Sequence, residues 1–326
     1  MDILNEIKQT VSEELSLYEI QLAEALHSDS ALLTSAVDYF LAKKGKNIRP
    51  LLVLLAAKSV FGIIKPQTIA GAISLELLHN ASIIHDDVVD DTNERRGRAS
   101  LNAQFSNKIA VLTGDFFLST SLRKGTETES MEIMKVISMI GQELAAGEIE
   151  QLSLAQSTDI SEEKYYSVID KKTASLMRAC MKIGAISVCA SEEIIEALTR
   201  FGKYLGLCFQ IKDDIFDYYD DKQIGKPTGN DIREGKVTLP LIYALLNSKN
   251  EQSREEAMEI IRISDYSAEN INFLIEFAKL NGGIDYAQSK MLALRELAVQ
   301  SLDILANSTS KDLLIKLLDY VIDRIK

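Results

Sequence analysis

Between Ile84 and Arg98 the chain reads IHDDVVDDTNERRGR, four aspartates in six residues followed by two adjacent arginines. Asp86, Asp87 and Asp90 follow the spacing i, i+1, i+4, which at ~100° per residue puts their carboxylates on one face of a helix. A second stretch, FGKYLGLCFQIKDDIFDYYDD, carries Asp213, Asp214 and Asp217 at the same spacing, with Asp220 and Asp221 beyond. Like charges at i, i+4 destabilise a helix by roughly 0.2–0.5 kcal/mol per pair. Both clusters also fall near the carboxyl end of their helix, where the macrodipole disfavours negative charge. One such cluster reads equally well as a solvated face; two with matching spacing, each closing an apolar helix, read as cation sites.

Carboxylates alone, without His or Cys ligands, select a hard divalent cation, and the calcium-loop pattern of alternating acids around a glycine is missing. Mg²⁺ keeps most of its waters and bridges a few carboxylates to substrate phosphates, so the acid clusters imply a phosphorylated ligand. The chain supplies cationic contacts for one. Arg95 and Arg96 follow the first cluster, while Lys226 and Lys236 lie in the stretch after the second. Lys46 and Arg49, in KKGKNIRP, precede a helix whose amino end itself favours an anion. Lys172 and Thr173, in DKKTASLM, form a further pair. Singly, each basic residue is a surface charge by default; beside paired acid clusters they describe a diphosphate-handling pocket.

The elements that must carry these groups read as helices throughout. Pro50 opens PLLVLLAAKSVFG and Gly62 closes it; Pro66 precedes QTIAGAISLELLHNASIIHDDVVDD, and Pro240 sits in the first turn of LPLIYALLN. From Ile133 to Leu154, Tyr165 to Ala190 and Glu192 to Tyr219, apolar residues recur at three- and four-residue intervals, with no sustained period-two segment. Several of these helices are apolar on more than one face, as interior helices of a bundle are. Asp221 to Thr238, DKQIGKPTGNDIREGKVT, is the one substantial loop, of the kind that often forms a lid. The expectation is an all-α chain with residues 1–326 in a single domain.

Composition narrows the function. With 46% hydrophobic residues there is ample material for a large core, and four prolines and no tryptophan favour helix. A net charge of −12 repels a polyanion globally, which argues against nucleic acid, yet clustered lysines and arginines can still hold a small anion at contact range. Cys180, Cys189 and Cys208 have no metal-ligand or disulfide spacing and are expected as reduced core residues. His27, His79 and His85 are too scattered for zinc. The amino terminus lacks a signal-peptide layout and no apolar run spans a bilayer, so the expected location is cytoplasmic, with at most transient membrane contact.

Together these stretches make the sequence resemble a trans-isoprenyl diphosphate synthase of the polyprenyl synthetase family. The first aspartate-rich motif is matched by DDVVDDTNERRGR and the second by FQIKDDIFDYYDD; GKNIRP, ELLHNASIIHDD, LTGDFFLS, GEIEQL, KTASL and GKPTGNDIREGKVTLPL stand in the family's order, from about Gly45 to Leu241. The resemblance implies an antiparallel helix bundle around a deep central cavity, usually in a homodimer, with three Mg²⁺ ions clamping an allylic diphosphate between the two acid clusters. Carried over motif by motif, Asp86, Asp87, Asp90, Asp213, Asp214 and Asp217 form the metal site, ligating directly or through water. Arg95, Lys172 and Lys226 hold the allylic diphosphate with Lys236 nearby, and Lys46, Arg49, His79 and Arg96 bind isopentenyl diphosphate. Thr173 and Gln210, which packing alone could explain, line the reaction centre in this pattern; His85 is read as structural. Lys44 stands where relatives often carry glycine.

The implied reaction ionises the allylic carbon–oxygen bond, and the double bond of isopentenyl diphosphate then attacks head-to-tail. Loss of a proton gives a diphosphate one isoprene unit longer. One turn before Asp86 stand Ala81 and Ser82, where bulky aromatics would floor the cavity early, as in short-chain family members. Small residues there imply a medium- to long-chain product, about octaprenyl, with a deeper stop at Met134, Ile137 or Met139, for which core packing is the competing explanation. The rival readings are a short-chain farnesyl or geranylgeranyl synthase, a noncatalytic helical subunit and a terpene cyclase. The intact acid clusters and arginine pair speak against the subunit, and the second basic cradle against the cyclase.

Overall fold

Residues 3–42, 45–95, 97–155, 160–219 and 228–324 are described by the computed structural model of the chain. Helices α1 (Ile3–Thr10), α2 (Ser12–Ala25), α3 (Ala31–Leu41), α4 (Ile48–Phe61) and α5 (Pro66–Val89) lead to a two-stranded ribbon, β1 (Glu94–Arg95) against β2 (Arg98–Ala99). Then come α6 (Leu101–Gln104), α7 (Asn107–Thr126), α8 (Met131–Ala155) and α9 (Glu162–Ile169), followed by a π-helical turn, Asp170–Ala174, and α10 (Ser175–Ser187). The remainder is α11 (Glu192–Phe216), α12 (Asn230–Arg233), α13 (Leu239–Asn247), α14 (Glu251–Ile263), α15 (Ala268–Leu280), α16 (Gly283–Ser301) and α17 (Thr309–Asp323). The all-α expectation holds, with that short ribbon as the strand structure among the described residues.

The chain divides into two compact units. The first comprises residues 1–142, 176–202 and 301–317, the second 143–175, 203–300 and 318–326. In the first, α4 is buried on every side from Leu51 to Ala57, as its all-round apolar sequence requires. Full burial of each of its Leu and Val side chains contributes about 1.5–3 kcal/mol. The helix starts at Ile48, two residues before Pro50, because Asn47 takes a left-handed conformation (φ 57°) and turns the chain into it; Gly62 closes it, also left-handed, at φ 72°.

Helix α5 lies tightly along α7. Ser74 donates its hydroxyl to the Ser121 carbonyl at 2.7 Å, and Ser121 returns one to the Ser74 carbonyl at 2.6 Å. Nearer the acid end, Gly114 is required: a Cβ there would fall 2.2 Å from His85 Nε2. His85 in turn contacts the Val111 carbonyl at 3.1 Å and lies 3.5 Å from Asp115.

In the second unit, α13 packs on α14 and α15, and the Tyr243 and Tyr286 rings stack with centroids 4.1 Å apart. Two expectations need correction. The helix read from Tyr165 to Ala190 is three pieces, ending at Ser187, because the π turn at Asp170–Ala174 inserts an extra residue into the ladder. Cys189 is not a core residue: it is exposed in a left-handed turn (φ 62°), whereas Cys180 and Cys208 are buried.

Candidate active site

The first acid cluster closes α5, within the first unit. Asp90 is the C-cap, and Asp86, Asp87 and Asp90 share the helix's last turn as the spacing required. Their environments differ. Asp87 is 2% exposed and receives a bidentate grip from Arg95 on β1, whose Nε lies 2.7 and 2.8 Å from the two carboxylate oxygens and whose Nη2 lies 2.5 Å from Oδ1. Asn102 steadies the turn by donating to the carbonyls of Asp87 and Thr92, each at 3.2 Å. Asp86 is half-buried and Asp90 exposed. Arg96, the neighbour of Arg95, lies outside the described residues.

Three further expected contacts lie in the same unit. Lys46 is exposed just before α4, while Arg49 is half-buried in its first turn with Nε shielded from water and no hydrogen-bond partner among the described residues. Its charge acts on buried neighbours: burial first, and then Glu76, push the Tyr18 hydroxyl up, and Arg49 opposes the shift. His79, half-buried on α5, accepts through its carbonyl the Ser82 hydroxyl at 2.9 Å.

Behind the first cluster, Ala81 is 2% exposed and Ser82 half-buried. Two turns earlier, about 10 Å along the axis, Ser74 meets α7 and α8. A Cβ at Gly125 would fall 2.7 Å from Met134 Sδ, 2.9 Å from Ile137 Cδ1 and 3.3 Å from Ser74 Oγ. Met134 and Ile137 therefore pack at one point against α5 and α7, whereas Met139 is 56% exposed and takes no part in that wall.

The second cluster lies in the second unit, where each carboxylate is held by a different element. Asp213 accepts from Arg324 Nη2 at 2.5 Å; that guanidinium also donates to the Phe209 carbonyl at 3.1 Å and stacks 4.1 Å from the Phe209 ring centroid. Asp214 is 3% exposed, taking the Tyr165 hydroxyl at 2.6 Å on one oxygen and Gln210 Nε2 at 2.8 Å on the other. Burial, with Asp231 and then Asp213 adding to it, pushes the Asp214 carboxyl up to about 8, against the pull of those two hydrogen bonds. Asp217 caps α12, accepting the backbone N–H groups of Asn230 at 2.9 Å and Asp231 at 3.0 Å. Asp220, Asp221 and Lys226 lie outside the described residues.

On the other wall of this unit, the π turn carries Lys172 and Thr173. Lys172 Nζ lies 2.6 Å from Glu148 and 3.3 Å from Gln151, both in GEIEQL on α8. Thr173 donates to Gln210 Oε1 at 2.6 Å, bringing together two residues that the sequence left 37 positions apart. Lys236 pairs with Glu234. Sequence reasoning missed Tyr165, Arg324 and Glu148: a tyrosine in an amphipathic helix, an arginine at the chain's end and a glutamate among many carry no spacing signal.

The donor set suits magnesium. It is all carboxylate, and among the described residues no three acidic, His or Cys side chains converge closely enough to hold an ion unaided. Carboxylate oxygens suit a hard cation that keeps waters and takes phosphate oxygens as further ligands. Asp87 and Asp213 each pair with an arginine, Arg95 and Arg324. Among the described residues no helix is long and apolar enough to cross a membrane.

Comparison with known proteins gives a consistent picture. The polyprenyl synthetase family profile matches residues 30–277. Octaprenyl diphosphate synthase of Haemophilus influenzae is 34% identical over 324 residues, covering 98% of this chain and 97% of that protein. The crystal structure of a decaprenyl diphosphate synthase from Rhodobacter capsulatus superposes with a TM-score of 0.93 at 31% identity, covering 99% of each chain. That of geranylgeranyl pyrophosphate synthase from Bacteroides thetaiotaomicron gives 0.85 at 40% identity, covering 99% of this chain and all of the other.

Proposed function

The chain belongs to the polyprenyl synthetase family, and on that premise we propose that it is an all-trans polyprenyl diphosphate synthase, extending an allylic diphosphate with isopentenyl diphosphate to about the octaprenyl length. The observation that carries the reading is the pair of aspartate triads with one spacing, each with an arginine already on one of its carboxylates. The allylic C–O bond breaks with its electrons leaving on diphosphate; the homoallylic double bond supplies the pair for the new C–C bond, and the released diphosphate takes the proton whose loss restores an alkene. No side-chain nucleophile is needed.

In this reading, Asp86, Asp87, Asp90, Asp213 and Asp217 hold about three magnesium ions together with the allylic diphosphate. Bound there, magnesium supplies charge neutralisation for the departing diphosphate. Asp214, whose partners Tyr165 and Gln210 are neutral where Asp87 holds an arginine, steadies the neighbouring ligands. Lys172, Arg95, Lys226 and Lys236 bind the same leaving group; Lys46, Arg49, His79 and Arg96 anchor isopentenyl diphosphate. Thr173 and Gln210 present oxygen to the cation. The active form is one 1–326 domain in a homodimer, working in the cytoplasm.

Small Ala81 and Ser82 favour the long product over the geranylgeranyl length, which the 40%-identical Bacteroides protein keeps as the rival. Incubating purified protein with Mg²⁺, farnesyl diphosphate and labelled isopentenyl diphosphate and sizing the products tests both. Products of seven to nine isoprene units are expected; products stopping at four, or none, sink the corresponding part. A81F should shorten the product by several units, and an unchanged length would remove α5 as the ruler. Chelator should stop turnover reversibly.

A further inference from the structure

Four side chains in the second unit form one hydrogen-bonded line. Tyr165 on α9 donates to one oxygen of Asp214 at 2.6 Å, and Gln210 donates its Nε2 to the other at 2.8 Å. Gln210 then accepts the Thr173 hydroxyl on Oε1 at 2.6 Å. Tyr165 is 7% exposed and Asp214 3%, whereas Gln210 and Thr173 are half-buried, so the line runs from the interior outward.

The chemistry of each group fixes the next. With both Asp214 oxygens accepting, one from the Tyr165 hydroxyl and the other from Gln210 Nε2, the amide presents its NH₂ to Asp214 and its carbonyl to Thr173. Thr173 has a single hydroxyl proton, and giving it to Gln210 leaves lone pairs as what its oxygen offers outward. Were the amide reversed, its NH₂ would face Thr173, and the hydroxyl proton would be released to point elsewhere. Electron-rich oxygen suits a passing allylic cation; an outward O–H dipole opposes it. Asp214 alone cannot hold this order: with only one of its two donors, one buried oxygen is left without a partner and draws in water that competes for Gln210.

We propose that Tyr165 is a positioning residue for the prenyl transfer, fixing through Asp214 the orientation of Gln210 and Thr173 that keeps oxygen lone pairs toward the developing cation. The inference rests on reading the chain as a prenyl diphosphate synthase. It gives Tyr165 no contact with substrate.

Y165F keeps the ring and removes the donor. Its kcat should fall about 10- to 100-fold, the scale of a lost hydrogen bond to a charged group. KM for both diphosphates and the Mg²⁺ half-saturation should stay within about twofold, since neither diphosphate nor metal contacts change. Replacing Tyr165 with 3-fluorotyrosine, which retains the hydroxyl, should restore kcat. In NMR of selectively labelled protein, the Gln210 side-chain amide of the wild type should show one strongly hydrogen-bonded proton that Y165F loses. A wild-type kcat in Y165F, or a loss confined to KM or magnesium dependence, overturns the proposal. If Y165F does not fold, the wild-type amide resonances decide, and a freely exchanging Gln210 amide overturns it. A wild type that makes no prenyl product defeats the parent reading instead, while the Gln210 resonances still report whether the line exists.

Discussion

The ends of α5 and α11 carry the same three aspartates at the same spacing, yet the fold treats them differently. At α5 the anchoring is local: Asp87 is gripped by Arg95, eight residues on, and the turn between them is tied by Asn102. At α11 it is remote: Tyr165 lies 49 residues from Asp214, and Arg324 lies 111 residues from Asp213. One short segment therefore organises the first cluster, whereas the second exists only once α9, α12 and the end of α17 have packed. A repeated motif thus specifies a common helix face and leaves the supporting shell to be solved separately at each site.

The sharpest way to break the comparison is to remove one proposed ligand from each side. D86A and D213A should each cut turnover on the order of 10³-fold or more, the scale of a lost charge-stabilising group. A near-normal rate in either, measured with labelled isopentenyl diphosphate, would show that the two clusters do not share one task. A smaller effect separates the anchors. R95A strands a carboxylate that is 2% exposed and should cost about 2 kcal/mol in chemical denaturation. R324A leaves Asp213, 42% exposed, able to take up water, and should cost about 1 kcal/mol. Equal losses would mean that burial of the acid is not what distinguishes them. The smallest effects are expected behind α5: M139A should leave stability within about 0.5 kcal/mol and product length unchanged, as befits an exposed side chain. M134A, which vacates a packed position beside Gly125 and Ile137, should shift products upward if it floors the tunnel.

What the sequence made legible was whatever has a local period or a fixed offset. The helices, the left-handed glycine after α4, the proline at the start of α5 and both acid faces follow from spacing alone. The supporting shell does not. Thr173 was in view beside Lys172, Gln210 came only from the family likeness, and nothing local joins either to Tyr165. The π turn was equally invisible, because an inserted residue in DKKTA leaves the apolar pattern on either side intact. Cys189 misled because composition assigns cysteine to the interior, while its left-handed turn holds it at the surface.

The reciprocal serine bonds between α5 and α7, with His85 seated over Gly114, have an evolutionary corollary. A helix riveted to its neighbour at two points, Ser74 and His85, resists sliding to accommodate a longer or shorter tail. Descendants of this protein would then change product size in steps, by exchanging one side chain for another on the unriveted flank, and not by gradual drift of the backbone.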